Sequence, residues 1–133
     1  MSSSRSPTGP STAPPARRVL LVENDYLVAQ TMADSLVDLR WTVVGPAYRL
    51  DEACQIAAAG SFDAALLDWS LDGTSSGDVA AVLIRRQIPF AFVTGHDRVP
   101  DARYGHIPVL GKPISMNDLG RTVEAMLRNT PAH

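Results

Sequence analysis

Four short apolar runs, each cut off at its carboxyl end by a polar or charged group, constrain this chain more than any other feature. Arg17-Arg18-Val19-Leu20-Leu21-Val22 gives way to Glu23-Asn24-Asp25, and Phe62-Asp63-Ala64-Ala65-Leu66-Leu67 runs straight into Asp68. Pro89-Phe90-Ala91-Phe92-Val93 ends at Thr94-Gly95, and Ile107-Pro108-Val109-Leu110 ends at Gly111-Lys112-Pro113. Hydrophobicity that is continuous over so few residues suits parallel strands buried on both faces.

Helical spacing fills the intervals. Leu27, Val28, Met32, Leu36 and Leu39 predict a helix from about Tyr26 to Leu39, with Asn24 or Asp25 as its N-cap. Trp41 to Val44 reads as a further strand, stopped by Gly45-Pro46. Helices are predicted over Leu50–Ala59, Asp78–Gln87 and Met116–Leu127, while Asp72 to Gly77 reads as a loop. Residues 96–106, broken by Pro100 and Gly105, hold at most one short helix. The order is (βα)5 with a shortened fourth helix. Such alternation implies right-handed crossovers and an α/β, doubly wound parallel sheet. Five units favour the strand order 2-1-3-4-5, with ligands bound beyond the carboxyl ends of the strands.

Composition narrows the class. With 133 residues, 45% hydrophobic and 20% charged, the chain has material for one core. Residues 1–16, almost all Ser, Pro, Thr and Gly, are expected to be a disordered tail before a domain over 17–129. A net charge of −2 gives no electrostatic basis for binding nucleic acid, and no apolar run is long enough to span a bilayer. The lone Cys54, expected as a small buried hydrophobe, excludes an internal disulfide; with no secretory leader pattern, a cytoplasmic location is expected.

In the 2-1-3-4-5 order the first and third strands are neighbours about 4.8 Å apart. Glu23 and Asn24 then lie close to Asp68, with Thr94 one strand further on. Lys112, the chain's only lysine, reaches back on a long stem. Singly, these residues have ordinary explanations: a helix cap for Asp25, turn chemistry for Thr94, a solvated charge for Lys112. Four strand ends converging on one edge do not. Two carboxylates and an amide offer oxygen ligands to Mg²⁺. The metal and Lys112 would neutralise an incoming phosphoryl group, Asp68 would act as nucleophile, and the Thr94 hydroxyl would donate to a phosphoryl oxygen.

These residues resemble the receiver domains of two-component response regulators, a CheY-like, flavodoxin-like family that itself exemplifies this strand order. The resemblance covers about residues 17–129. It rests on Val19-Leu20-Leu21-Val22-Glu23-Asn24-Asp25, Leu66-Leu67-Asp68, Val93-Thr94-Gly95 and Gly111-Lys112-Pro113 in order. It implies that Asp68 takes phosphate from a histidine kinase or phosphotransfer protein. It further implies that the Ser70 backbone carbonyl joins Glu23, Asn24 and Asp68 around Mg²⁺, and that Thr94 switches the surface around the fourth and fifth strands. His96 occupies the place where family members tune hydrolysis, although a solvated loop histidine is the plainer reading. Pro89 to His96 is similar to the motif of the "FAT GUY" receivers, mostly stand-alone members of stress phosphorelays, with Val93 for the usual alanine. Such a chain is not an enzyme beyond its own phosphorylation and dephosphorylation.

Three departures qualify these expectations. Asn24 stands where the family has a metal-binding aspartate, which removes one charge and is expected to weaken Mg²⁺ binding roughly tenfold or more. Val109 stands three residues before Lys112, where many receivers carry Tyr or Phe, so no aromatic rotamer switch operates there. The short stretch from Thr94 to Lys112 shifts expected output to the loop around His96–Tyr104 and the last helix, leaving a monomer or weak dimer. Six residues follow the predicted last helix, so output is expected through an unidentified downstream protein. The main alternative is a pseudo-receiver that binds partners without phosphorylation. A haloacid-dehalogenase type hydrolase needs a second acid two residues after the nucleophile, where Asp68-Trp69-Ser70 has none. An FMN site would want a Ser/Thr/Gly loop rather than Glu23-Asn24-Asp25. Trp69 reads as core or loop packing before partner contact.

Overall fold

A computed structural model describes residues 17–95 and 99–128. Its elements are β1 (Arg18–Val22), α1 (Tyr26–Asp38), β2 (Thr42–Ala47), α2 (Leu50–Ala59), β3 (Ala64–Asp68), β4 (Ser70–Leu71), β5 (Thr74–Ser75), α3 (Gly77–Arg86), β6 (Phe90–Thr94), a 3₁₀ turn (Ala102–Tyr104), β7 (Val109–Gly111) and α4 (Met116–Arg128). The main sheet is parallel with order β2-β1-β3-β6-β7. Once the small β4–β5 hairpin is set aside, this is the expected 2-1-3-4-5.

Alternate side chains of each strand enter opposite layers, as the two-residue period of a strand requires. Leu20, Val22, Ala65, Leu67, Phe90 and Phe92 pack beneath α2 and α3 with Ala53, Ala57, Val79 and Leu83. Val19, Leu21, Ala64, Leu66, Ala91 and Val93 pack beneath α1 and α4 with Met32, Leu36, Leu119 and Val123. Every residue of β3 and β6 is buried, which is why these runs show no polar alternation. Each large aliphatic or aromatic residue among them contributes about 1.5–3 kcal/mol of burial free energy.

Three segments differ from the sequence expectations. β2 does not stop at Gly45-Pro46 but continues to Ala47, with a bulge opposite Leu20–Val22. Gly45 has φ +99, and a Cβ there would meet the Ala47 nitrogen at 2.7 Å, so only glycine carries the strand across. Because β2 is an edge strand, Pro46 costs no interior ladder bond. The segment expected as a plain loop folds into the β4–β5 hairpin: Asp72 (φ 55) and Gly73 (φ 86) form its two-residue turn, with Leu71 opposite Thr74. An Asp-Gly pair with both residues at positive φ is the turn that matches strand twist. Among the described residues of the segment expected to hold the shortened fourth helix, there is a single 3₁₀ turn, Ala102–Tyr104.

Candidate functional site

Strand register assembles the site. Val22 lies beside Leu67, so Glu23 and Asp68 leave neighbouring strands at the same height. Asp68 pairs with Val93, and Thr94 pairs with Gly111. The Glu23 amide donates to the Ala47 carbonyl (3.0 Å), and the Lys112 amide donates to the Thr94 carbonyl (2.9 Å). Glu23, Asp68, Thr94 and Lys112 therefore owe their positions to main-chain bonds of four strands. Asp25, the residue after Asn24, caps α1 by accepting the Val28 amide on Oδ1 at 3.1 Å. Of the two expected caps, Asp25 fills the role.

Lys112 holds the two acids together. Its Nζ lies 2.8 Å from Glu23 Oε1 and 3.1 Å from Asp68 Oδ2. Glu23 is wholly buried, Asp68 is 6% exposed and Thr94 is 3% exposed. The remaining carboxylate oxygens face backbone amides: Glu23 Oε2 accepts from Asp25 at 3.0 Å, and Asp68 Oδ1 from Ser70 at 3.3 Å. Burial lifts the Glu23 carboxyl above its ordinary value; the Lys112 ammonium and the Asp25 amide pull the other way, and Asp68 adds to the rise. Burial pushes the Lys112 ammonium down, but hydrogen bonds and charge from Glu23 and Asp68 more than reverse this and hold it above the usual lysine range. The sequence placed Lys112 in one crevice with both acids; the structure shows it bridging them.

The donors suit a hard divalent cation in kind, though not in charge. All are oxygen atoms: the carboxylates of Glu23 and Asp68, the Asn24 amide and the Ser70 carbonyl. Glu23 Oε1 is buried yet receives no well-aligned hydrogen bond, despite the nearby ammonium. In the hairpin, the Ser76 amide bonds the Trp69 carbonyl (2.8 Å), which leaves Ser70 in a non-hydrogen-bonded pair. The Ser70 N–H turns to Asp68, and its carbonyl shares that edge of the strand. Among the described residues no three His, Cys, Asp or Glu side chains gather as a metal cluster. Asn24, which follows Glu23 in the chain, is exposed and carries an amide rather than a carboxylate.

Other singled-out residues fall as follows. Trp69 is half-buried, with its ring edge-on to Phe92 (5.3 Å, 85°) and tilted against Tyr104 (6.2 Å, 63°), so it packs as expected. Cys54 is half-buried on α2 rather than fully enclosed, and burial raises its thiol pKa. His96 and the tail of residues 1–16 lie outside the described residues. Tyr104 was not singled out from sequence, although it is buried against Phe92 and Trp69. A lone aromatic in a polar, proline-broken stretch was the available signal.

Comparison with known proteins agrees with this geometry. No protein-family model matches the chain. The transcriptional regulatory protein PdtaR of Mycobacterium tuberculosis is 30% identical over 125 residues, which is 88% of this chain and 61% of that protein. The chain thus spans less than two thirds of that curated relative. The solution structure of SdrG from Sphingomonas melonis Fr1 is 37% identical with a TM-score of 0.75, covering 84% of this chain and 97% of that one. The BeF3-activated conformation of SdrG gives 0.71 at the same identity, covering 83% and 95%. A CheY-like receiver from Methanospirillum hungatei JF-1, 18% identical with a TM-score of 0.76 over 86% of this chain and 96% of its own, shares the fold. With the strand order, the paired acids and the bridging lysine in place, the chain belongs to the response regulator receiver domains.

Proposed function

We propose that this receiver accepts a phosphoryl group on Asp68 from a histidine kinase or phosphotransfer protein in a phosphorelay, and signals by contact with a downstream protein. The observation that carries this reading is the Lys112 ammonium set between two buried acids at 2.8 and 3.1 Å. A cation already aimed at the Asp68 carboxylate stands where phosphoryl charge develops, and positioned charge supplies most of the catalysis in such transfers. The phosphorus–nitrogen bond of the donor's phosphohistidine breaks as a phosphorus–oxygen bond to Asp68 forms; water later releases phosphate and restores the carboxylate. Glu23, Asn24, Asp68 and the Ser70 carbonyl would hold Mg²⁺, which when bound offsets phosphoryl charge. The buried Thr94 at the end of β6 is the switch residue in this reading. We take the protein to act as a stand-alone cytoplasmic receiver of the FAT GUY kind, monomeric or weakly dimeric, and to be no enzyme beyond its own phosphorylation and dephosphorylation. No helix among the described residues is long and apolar enough to cross a membrane.

A protein donor fits the surroundings. A groove of about 450 Å³, lined by Leu27, Val28, Thr31, Met32, Lys112, Pro113 and Ile114, runs from α1 to the site lysine. Leu27, which lines its α1 side, is 76% exposed, giving apolar contact area near the site lysine. Incubation with acetyl phosphate, or with a phosphorylated kinase, tests the proposal. The native chain should gain acid-labile phosphate and Asp68→Ala none; equal labelling of both would overturn it. Asn24→Asp should strengthen Mg²⁺ binding at least about tenfold, as one restored charge near the metal predicts.

The exposed Asn24 favours a second reading, a pseudo-receiver whose partners bind irrespective of phosphate. Partner affinity unmoved by Asp68→Ala, in a chain that takes no phosphate, would select it.

A further inference from the structure

Tyr104 touches both ends of the β4–β5 hairpin. Its ring lies against Trp69, the residue that enters the hairpin (6.2 Å, 63°). Its hydroxyl donates to the carbonyl of Gly77, the first residue of α3 after the hairpin, at 3.3 Å. Phe92 backs the ring from β6 at 5.5 Å. The tyrosine is 6% exposed although it belongs to a 3₁₀ turn in an irregular connection. That turn is itself fastened: Asp101 Oδ1 accepts the Arg103 amide at 3.0 Å, and the Ile107 amide donates to the Tyr104 carbonyl at 3.0 Å.

The hairpin matters because it begins one residue after Trp69 and two after Asp68. Trp69 is the joint: its amide donates to Val93 in the main sheet (2.9 Å), while its carbonyl accepts from Ser76 across the hairpin (2.8 Å). Ser70, the first hairpin residue, sends its amide to Asp68 Oδ1 at 3.3 Å. Any tilt of the hairpin about this joint moves that amide, and the adjoining carbonyl, relative to the acceptor carboxylate. A two-stranded ribbon this short is not stable alone and takes its orientation from whatever packs on its base.

We propose that Tyr104 is a positioning residue for the Asp68 site: by clamping Trp69 and Gly77 it fixes the hairpin and so aims the Ser70 main chain at the phosphoacceptor. The proposal rests on Asp68 as phosphoacceptor, and it gives the shortened β6–β7 connection a role that a regular helix packed at a distance would not fill. A small shift in a supporting group can cost a large factor in rate when reaction geometry is strict.

The test uses Tyr104→Leu, which removes ring and hydroxyl, and Tyr104→Phe, which keeps the ring. Val123→Ala, in the opposite core, serves as a destabilised control. Two readouts are taken well below the melting transition of each variant: the rate of phosphate gain from acetyl phosphate, and the amide chemical shifts of Ser70 and the hairpin. Tyr104→Leu should slow phosphate gain about tenfold and shift the Ser70 amide, in keeping with the sensitivity of reaction rate to placement. Tyr104→Phe, which keeps the ring on Trp69 but frees Gly77, should fall between the native chain and Tyr104→Leu, and Val123→Ala should change neither readout. A Tyr104→Leu chain with a native rate and an unmoved Ser70 amide would overturn the clamp, as would equal slowing by Val123→Ala. Should the native chain take no phosphate, the reading of Asp68 fails by itself, and the Ser70 shift still decides whether Tyr104 holds the hairpin.

Discussion

The sheet divides into two halves that treat the same task differently. In β2-β1-β3, full helices of 13 and 10 residues make both connections and cover both faces. In β6-β7, the described residues 99–108 of the connection hold one 3₁₀ turn, and β7 has only three residues. The site straddles the division: Glu23 and Asp68 come from the first half, Thr94 and Lys112 from the second. The two acids stand on strands with neighbours on both sides, whereas Lys112 follows the three-residue edge strand β7. Opening free energy follows local burial and hydrogen bonding, so the short edge strand β7 is expected to open before β1 and β3.

Core truncations test that division most severely. Leu20→Ala, fully buried in β1, should cost about 4 kcal/mol, and Leu110→Ala in β7, 8% exposed, about 2 kcal/mol, from the usual range for such deletions. Urea unfolding measures both, and equal losses would erase the distinction. Lys112→Met should cost about 2 kcal/mol, below the 3–5 typical of a fully buried pair because the lysine side chain is 25% exposed. The loss should shrink in a Glu23→Gln background, where Asp68 alone is left buried without its cation.

A smaller effect follows from the raised Glu23 carboxyl. A folded-state value above the unfolded one contributes stability below the ordinary glutamate range, and that contribution is lost as pH rises through the folded value. Glu23→Gln should therefore gain melting temperature relative to the native chain as pH climbs from about 4 to about 7. A constant difference across that span would mean the carboxyl is not perturbed. Finest of all is amide exchange. Leu66 and Leu67 in β3 should exchange only with global unfolding, while Leu110 in the edge strand exchanges faster by an order of magnitude or more.

How much of this was legible in the sequence follows the same line. Runs such as Leu20–Val22 and Ala64–Leu67 announce themselves because a strand buried on both faces can carry nothing polar, and the residues that end them mark the site. Glu23, Asn24, Asp68, Thr94 and Lys112 were found that way. Gly45-Pro46 misled because it breaks an interior strand but is compatible with an edge, and edge position is a property of the assembled sheet. The Asp72-Gly73 hairpin had a local signal, a positive-φ dipeptide between residues able to pair, but the strands are too short to show alternation. The Tyr104 contacts with Trp69 and Gly77 span 35 and 27 positions of chain, beyond the reach of any periodicity.

Proline stands at both margins of the sheet. Pro46 lies within β2, and Pro108 and Pro113 bracket β7. A foreign strand aligning along either border would meet missing amide donors, which guards against chain-to-chain sheet extension and the aggregates it seeds. Partners are then more readily met through side chains of the helices and loops than through pairing with the sheet's borders.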